Sequence, residues 1–242
     1  MRLALISDVH GNDVAFAAVV ADLERVGCDG AVCLGDVAQG GPQPRETLDR
    51  LRALEGPVVI GNSDAFLLEV PADSPEPITG RQLAVREWTL AQLGAGDLAF
   101  IRSFSPTVEL ALDGAGLLAF HGSPRAYDDV LLPDSDAAAL EPFRGTGADV
   151  LAGGHTHLQW TRAVDGALLV NPGSVGLAYD RHQPDHDFKL TPVAEYALLT
   201  AGTGAAAVEF RRVPYSLETL IEVTRASGRP DARAYLDAWR PA

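Results

Sequence analysis

The side chains that offer chemistry are Asp8 and His10, in the stretch Ser7-Asp8-Val9-His10-Gly11-Asn12-Asp13, followed by Asp36, Asn62, His121, His155 and His157. Each comes just after a short hydrophobic run. Four of the six histidines fall in this set, so imidazoles are concentrated where predicted strands end. Imidazole nitrogen together with carboxylate oxygen suits borderline transition ions such as Mn, Fe, Ni or Zn, whereas a site for Mg or Ca alone is expected to use oxygen donors. Seven donors exceed the roughly three or four protein ligands usual for a single zinc. Two divalent cations sharing one carboxylate fit the number better.

Spacing adds to composition. In extended backbone, residues i and i+2 face the same way, which predicts that Asp8 with His10, and His155 with His157, each aim at one point. Taken singly, every residue also has a plainer account. Asp8 can cap the next helix, His121 can be a structural hydrogen-bonding histidine, Asn62 can be a turn residue beside Gly61, and the His155–His157 pair can be solvated. Repetition of one arrangement at successive strand ends favours a shared site.

The elements that must position these residues can be read from periodicity. Leu3 to Ser7 reads as a strand, Val14 to Val26 as an amphipathic helix ended by Gly27, and Gly30 to Leu34 as a second strand. Pro44 to Leu54 reads as a helix and Val58 to Ile60 as a third strand. This βαβα order predicts neighbouring parallel strands with right-handed crossovers. A Pro-rich connection from Pro71 to Pro77 precedes a helix over Gly80 to Leu93, with Trp88 on its apolar face. Further strands are predicted at Val108 to Leu112, Leu117 to Ala119, Asp149 to Ala152, Leu158 to Ala163, Leu168 to Val170, Glu195 to Thr200 and Ala206 to Arg212. Asp113-Gly114 and Asp165-Gly166 are hairpin turns. Helices at Leu217 to Ala226 and Ala232 to Trp239 complete the chain. Parallel strands joined to hairpins imply two mixed sheets packed together with helices outside.

Composition sets outer limits. At 242 residues the chain is long enough for a substantial core, and one domain over 1–242 is expected, with C-terminal helices at 216–239 packed on it. Charged residues are 21% and hydrophobic ones 47%, a globular balance without a sign of long disorder. The formal charge of −14 is expected to repel nucleic acid and anionic membrane, although bound cations change that field locally. No signal-peptide stretch and no apolar segment of about 18 residues appears, so a soluble cytoplasmic protein is expected. Cys28 and Cys33 have no CxxC partner and read as small buried residues.

In chain order, Asp8-Val9-His10-Gly11-Asn12, Gly35-Asp36, Gly61-Asn62-Ser63-Asp64, His121-Gly122, Gly154-His155-Thr156-His157 and Asn171-Pro172-Gly173-Ser174-Val175-Gly176 span most of the sequence. This ordered set resembles the calcineurin-like metallophosphoesterase superfamily, particularly its small bacterial and archaeal phosphodiesterase-like members. The resemblance implies an α/β fold, a four-layer αββα sandwich of two mixed β-sheets flanked by helices. It implies that Asp8, His10 and His157 hold one metal, that Asn62, His121 and His155 hold a second, and that Asp36 bridges them. Hydrolysis is then by a hydroxide between the metals attacking phosphorus, with Asp36, Asn62, Asp64 and His121 as catalytic positions and Asp64 orienting a neighbour. Mn is the favoured metal, with Fe, Ni or Zn as alternatives.

The chain departs from the family pattern at Ser63, where many members have histidine and some cysteine. Serine is a poor general acid, so good leaving groups are expected, and phosphodiesters of small or nucleotide-like substrates rank ahead of phosphomonoesters. After Gly176, Leu177-Ala178-Tyr179-Asp180-Arg181 replaces the basic residue and Asp-Gly turn of relatives. Arg125 is the nearest basic candidate for a phosphate contact, or else a surface residue. Asn171 and Ser174 form a turn that buttresses the histidine pair without being ligands. The polar segment Tyr179 to Pro192, with His182 and His186, is either a loop over the entrance or an idle surface loop. Protein phosphatase activity is an alternative, and a non-catalytic adaptor of the same fold is another, which the complete donor set disfavours.

Overall fold

The computed structural model describes residues 1–72, 77–184, 187–202 and 205–239. The uninterrupted hydrophobic run at the N-terminus forms β1 (Arg2–Ile6), and it is apolar on both faces because both faces are covered. Leu3 and Leu5 face the second sheet, while Ala4 and Ile6 face helices. α1 (Asp13–Val26) begins at Asn12, whose side chain accepts from the Ala15 amide, and stops at Gly27 in a positive-φ conformation. β2 (Gly30–Cys33) then runs parallel to β1, with Leu5 beside Val32. α2 (Pro44–Ala53) starts on a proline, a residue suited to the first helical turn.

Val58 to Ile60 is less regular than expected. Directly after Pro57, which has no N–H to pair, it meets the first sheet at a single bridge from Val58 to Cys33 among the described residues, while Val59 bridges to Ser105 outside the sheet. The polar residues after it are not a loop, since Asn62 opens helix α3 (Asn62–Leu68). α4 (Gly80–Gln92) has a Thr79–Gln82 capping box. α5 (Ala95–Arg102) was hidden in the sequence by Gly94 and Gly96; the Asp97 carboxylate accepts from the Gly94 amide and fixes its start.

β3 (Val108–Leu112) and β4 (Ala115–Ala119) form the first hairpin. A 3-10 turn at Glu141–Phe143 precedes β5 (Val150–Ala152), and β6 (Gln159–Val164) pairs antiparallel with β7 (Ala167–Pro172) across Asp165-Gly166, both with positive φ. β8 (Val193–Gly202) and β9 (Ala205–Pro214) extend beyond the predicted hairpin, and α6 (Leu217–Ala226) and α7 (Ala232–Asp237) follow. Within the Ala201 to Ala205 turn, Thr203 and Gly204 lie outside the described residues, as do positions 73–76 of the Pro-rich connection.

The result is an α/β fold of two mixed sheets flanked by helices. One sheet has the order β2-β1-β8-β9 and the other β3-β4-β5-β7-β6. Their facing surfaces bury Leu3, Leu5, Val32, Leu34, Leu117, Val150, Val170 and Leu199. Phe16, Val19, Leu48 and Ile101 cover the other face of the first sheet. Phe120, Leu151, Leu169 and Trp160 on the second sheet pack with Leu131, Leu140 and Phe143. Among the described residues no helix is long and apolar enough to cross a membrane.

Candidate metal centre

β1 and β2 are parallel neighbours in one sheet, as β4 and β5 are in the other, and the loops leaving them meet at one edge of the sandwich. The first two loops are knitted together by backbone hydrogen bonds from Asp8 to Gly35 O (3.0 Å), His10 to Asp36 O (2.9 Å) and Gly11 to Val37 O (2.8 Å). The loops do not converge through extended alternation as spacing suggested. Asp8, His10, Asp36, His155 and His157 all have φ between 48° and 68°, the left-handed region that costs a non-glycine residue about 1–2 kcal/mol. They are five of the eight such non-glycine residues described, so backbone strain is concentrated at this edge. The turns bring donors inward that a straight strand would spread along its length.

Asp8, His10 and His157 form one candidate metal-binding cluster, and Asp8, Asp36 and His121 form an adjacent one, with ligand atoms in each within 4.8 Å of one another. Three rings are oriented the same way. Nδ1 of His10 faces Gln39 O at 3.0 Å, Nδ1 of His121 faces Leu34 O at 2.6 Å, and Nδ1 of His157 faces Leu177 O at 3.3 Å. A carbonyl only accepts, so Nδ1 carries the proton and Nε2 turns inward as a free donor of electrons, an arrangement typical of metal-binding histidine. The Nε2 atoms of His10 and His157 approach to 3.1 Å.

Asp8 is fully buried, and its two oxygens differ. Oδ2 accepts from Ser7 Oγ at 2.5 Å and from the His155 amide at 3.1 Å. Oδ1 has no hydrogen-bond partner among the described residues, although Nε2 of His157, His10 and His121 lie at 3.2, 3.7 and 3.9 Å. A buried carboxylate oxygen left bare among imidazole nitrogens is costly unless a cation joins them. The donor set therefore fits divalent metal ions.

Asp36 Oδ2 lies 3.5 Å from Nε2 of both His10 and His121, one ring from each cluster, while Asp8 belongs to both clusters. His121 Nε2 is also 3.1 Å from Asn62 Oδ1, and the His121 and His155 rings are 5.2 Å apart. Burial works against charge on His121, yet the carboxylates of Asp36 and Asp8 push its pKa up to about 10. Burial also opposes ionisation of Asp36, but His121 and His10 hold it well below the ordinary carboxylate value. Both shifts express a demand for positive charge at this point.

The neighbours of Asp36 fix its direction. Ser63 donates to it twice, from its amide to Oδ1 and from Oγ to Oδ2, each at 2.8 Å. Asp64 accepts from the amides of Asp36 (2.8 Å), Val37 (2.9 Å) and Gly61 (3.1 Å). Its carboxylate thus faces backbone and stands behind Asp36, and burial together with the Asp36 charge raises its pKa to about 6. Gly61 is required by close approach, because any Cβ there would collide with Asp36 Oδ1.

Residues 1–193 match the description of the calcineurin-like phosphoesterase superfamily domain. The chain belongs to that superfamily. It is similar to a metallophosphoesterase from Sphaerobacter thermophilus, at 28% identity and a TM-score of 0.76, covering 98% of each chain. An uncharacterized protein of Methanocaldococcus jannaschii is 27% identical over 74% of this chain and 72% of its own length. A hypothetical protein from Pyrococcus horikoshii shares the fold, with a TM-score of 0.82 at 19% identity over 100% of this chain and 99% of that one.

This calcineurin-like site brings five of the seven sequence-expected donors, Asp8, His10, Asp36, His121 and His157, into the two clusters, with Asn62 and His155 beside His121 and Asp64 behind Asp36. Arg125 is separate: it is exposed and pairs with Asp129 at 3.0 Å. Asn171 buttresses the histidine loop as expected, donating to Gly154 O at 2.6 Å and Thr156 Oγ1 at 3.1 Å, while Ser174 Oγ donates to Asp8 O at 2.8 Å. From the 179–192 segment, Tyr179 reaches Thr156 O at 3.2 Å, His182 is exposed, and His186 lies outside the described residues. Cys28 and Cys33 are free, and Cys33 is buried as expected. Sequence reasoning missed Ser7 and the carbonyls of Leu34, Gln39 and Leu177. Ser7 was legible as a polar residue preceding Asp8, but a carbonyl acceptor has no side-chain signature.

Proposed function

We propose that this protein hydrolyses phosphodiesters of small or nucleotide-like substrates in the cytoplasm, with two divalent cations, Mn favoured. The observation that carries the metal reading is the bare, buried Oδ1 of Asp8 among three inward-facing Nε2 atoms. On this reading Asp8, His10 and His157 hold one cation, Asn62, His121 and His155 the other, and Asp36 spans both. When bound, the cation pair supplies an acidified water nucleophile and neutralises charge on the phosphoryl oxygens. Ser7 and the His155 amide hold Asp8 so that Oδ1 stays free. Ser63 and Asp64 aim Asp36 through hydrogen bonds to its carboxylate and its amide.

The preference for diesters with good leaving groups draws support from position 63. The Ser63 hydroxyl is engaged by Asp36 and is a poor acid, so departing alkoxides receive little protonation from it. The whole chain acts as one domain in this proposal, with the C-terminal helices part of the catalytic unit. The test is metal-stripped protein reloaded singly with Mn, Ni, Fe, Zn or Mg and assayed on aryl phosphodiesters and matched monoesters. Activity is expected to return first with Mn and to favour the diesters. Equal rates with and without metal would overturn the reading.

A further inference from the structure

The backbone beside the carbonyls that steer His10 and His157 is contacted by the C-terminal segment, which lies beyond the family match at 1–193. Between α6 and α7, buried Arg229 donates from Nε to Gly40 O at 2.7 Å and from Nη1 to Pro230 O at 2.8 Å. Its guanidinium sits 4.4 Å from the centre of the Tyr235 ring. The neighbouring Asp231 pairs with Arg81 instead, at 3.1 Å. A buried cation is thus committed to a backbone carbonyl one residue away from Gln39 O, the partner of His10 Nδ1. The same backbone touches His10 directly, because Gly41 N donates to His10 O at 2.6 Å.

The other ring is reached through Leu177. Its carbonyl faces His157 Nδ1, and its side chain packs with Leu190, Leu220, Tyr235 and Trp239. Leu190 in turn donates to Ala238 O at 2.7 Å. His121 is fixed differently, by Leu34 O at the end of β2, where Leu34 packs in the core between the sheets.

We infer that the C-terminal helices clamp the His10–His157 cluster, with Arg229 as the positioning residue, and so set affinity at one cation site and not the other. This rests on the two-cation reading above. A ring whose Nδ1 partner is loosened loses its aim, and removing such an outer partner typically costs about 10- to 100-fold in metal affinity.

The experiment titrates Mn²⁺ into metal-stripped full-length protein by calorimetry, for the parent, Arg229→Met and Arg229→Lys, and locates the ions by anomalous scattering. Urea unfolding of each metal-free form checks the fold. In Arg229→Met one binding step is expected to weaken by about 10-fold or more, with occupancy lost at His10–His157 and kept at His121–His155. Arg229→Lys, which restores a donor to Gly40, is expected to recover part of the affinity. Equal weakening of both sites, or no change at either, overturns the clamp. Should Arg229→Met not fold, Tyr235→Leu removes the ring beneath the guanidinium and must give a smaller loss at the same single site, and its absence overturns the clamp as well. A parent that binds no Mn²⁺ overturns the metal reading itself, and the clamp with it.

Discussion

Asp8 and Asp22 are both buried aspartates beside charged partners, yet they are finished differently. Asp22, on α1, accepts from Tyr196 Oη at 2.8 Å, from Arg211 Nε and Nη2, and from Arg25. Burial opposes its ionisation, but these donors hold its pKa below the ordinary value. Every lone pair has a use, and the group ties α1 to β8 and β9. Asp8 has a bare Oδ1 faced by the inward-turned Nε2 atoms of His157, His10 and His121. A structural carboxylate is saturated by the fold, whereas the one at this edge is complete only with a ligand. Function here is written as unmet valence on a strained backbone.

The comparison is most exposed to substitution at Asp36, the position proposed to span both cations. Asp36→Asn is expected to lower kcat by roughly a thousandfold, about 4 kcal/mol of transition-state stabilisation, while Arg125→Ala changes it little. The metal-free Asp36→Asn protein should lose some stability as well, since His121 and His10 no longer face a carboxylate there. Steady-state kinetics at saturating Mn²⁺ and urea unfolding check both parts, and unchanged kcat would remove Asp36 from its assigned place. Asp22→Ala should act on stability alone. About 3 kcal/mol of stability is expected to go because Arg211 and Tyr196 lose their buried acceptor, with kcat at saturating metal nearly unchanged.

Glu195 is an intermediate case. It is buried with Arg212 at 3.2 Å, and burial, only partly offset by that arginine, raises its pKa from 4.5 to about 7. A raised carboxyl pKa gives stability that is fully present below the unfolded value and is lost as pH rises through the folded one. The parent should therefore lose on the order of 2 kcal/mol between about pH 4.5 and 7 from this group, and Glu195→Gln should flatten that part of the profile. Denaturant midpoints of both proteins at pH 5 and 7.5 decide it; parallel profiles would show that Arg212 fully compensates the charge.

The smallest effect is expected at Ser63. Ser63→Ala removes one hydrogen bond to Asp36 and should cost less than about tenfold in kcat/KM, or 1.4 kcal/mol. On the proposal that Ser63 supplies no proton, parent and variant should share a steep dependence on leaving-group acidity across a series of aryl phosphodiesters. A flat series in the parent with a hundredfold loss in the variant would make Ser63 a direct participant.

The sequence alone singled out seven candidate donors, their order and their attachment to hydrophobic runs, because donor chemistry is a property of residue type and a buried strand leaves an apolar signature. It also placed nearly every strand, including the turn at Asp165-Gly166, whose residues accept positive φ cheaply. It misplaced the way the donors converge. Positive φ at Asp8 and His10 goes with backbone hydrogen bonds to Gly35 and Asp36, distant in the chain, and no local spacing encodes it. Helix α3 was hidden because Asn62 and Asp64 read as turn residues until Asp64 finds the amides of Asp36 and Val37. Likewise β8, from the far end of the chain, takes the place beside β1, with Leu5 opposite Ala197. Only the tertiary structure decides which carbonyl faces which imidazole nitrogen, since every residue carries a carbonyl and packing alone selects among them.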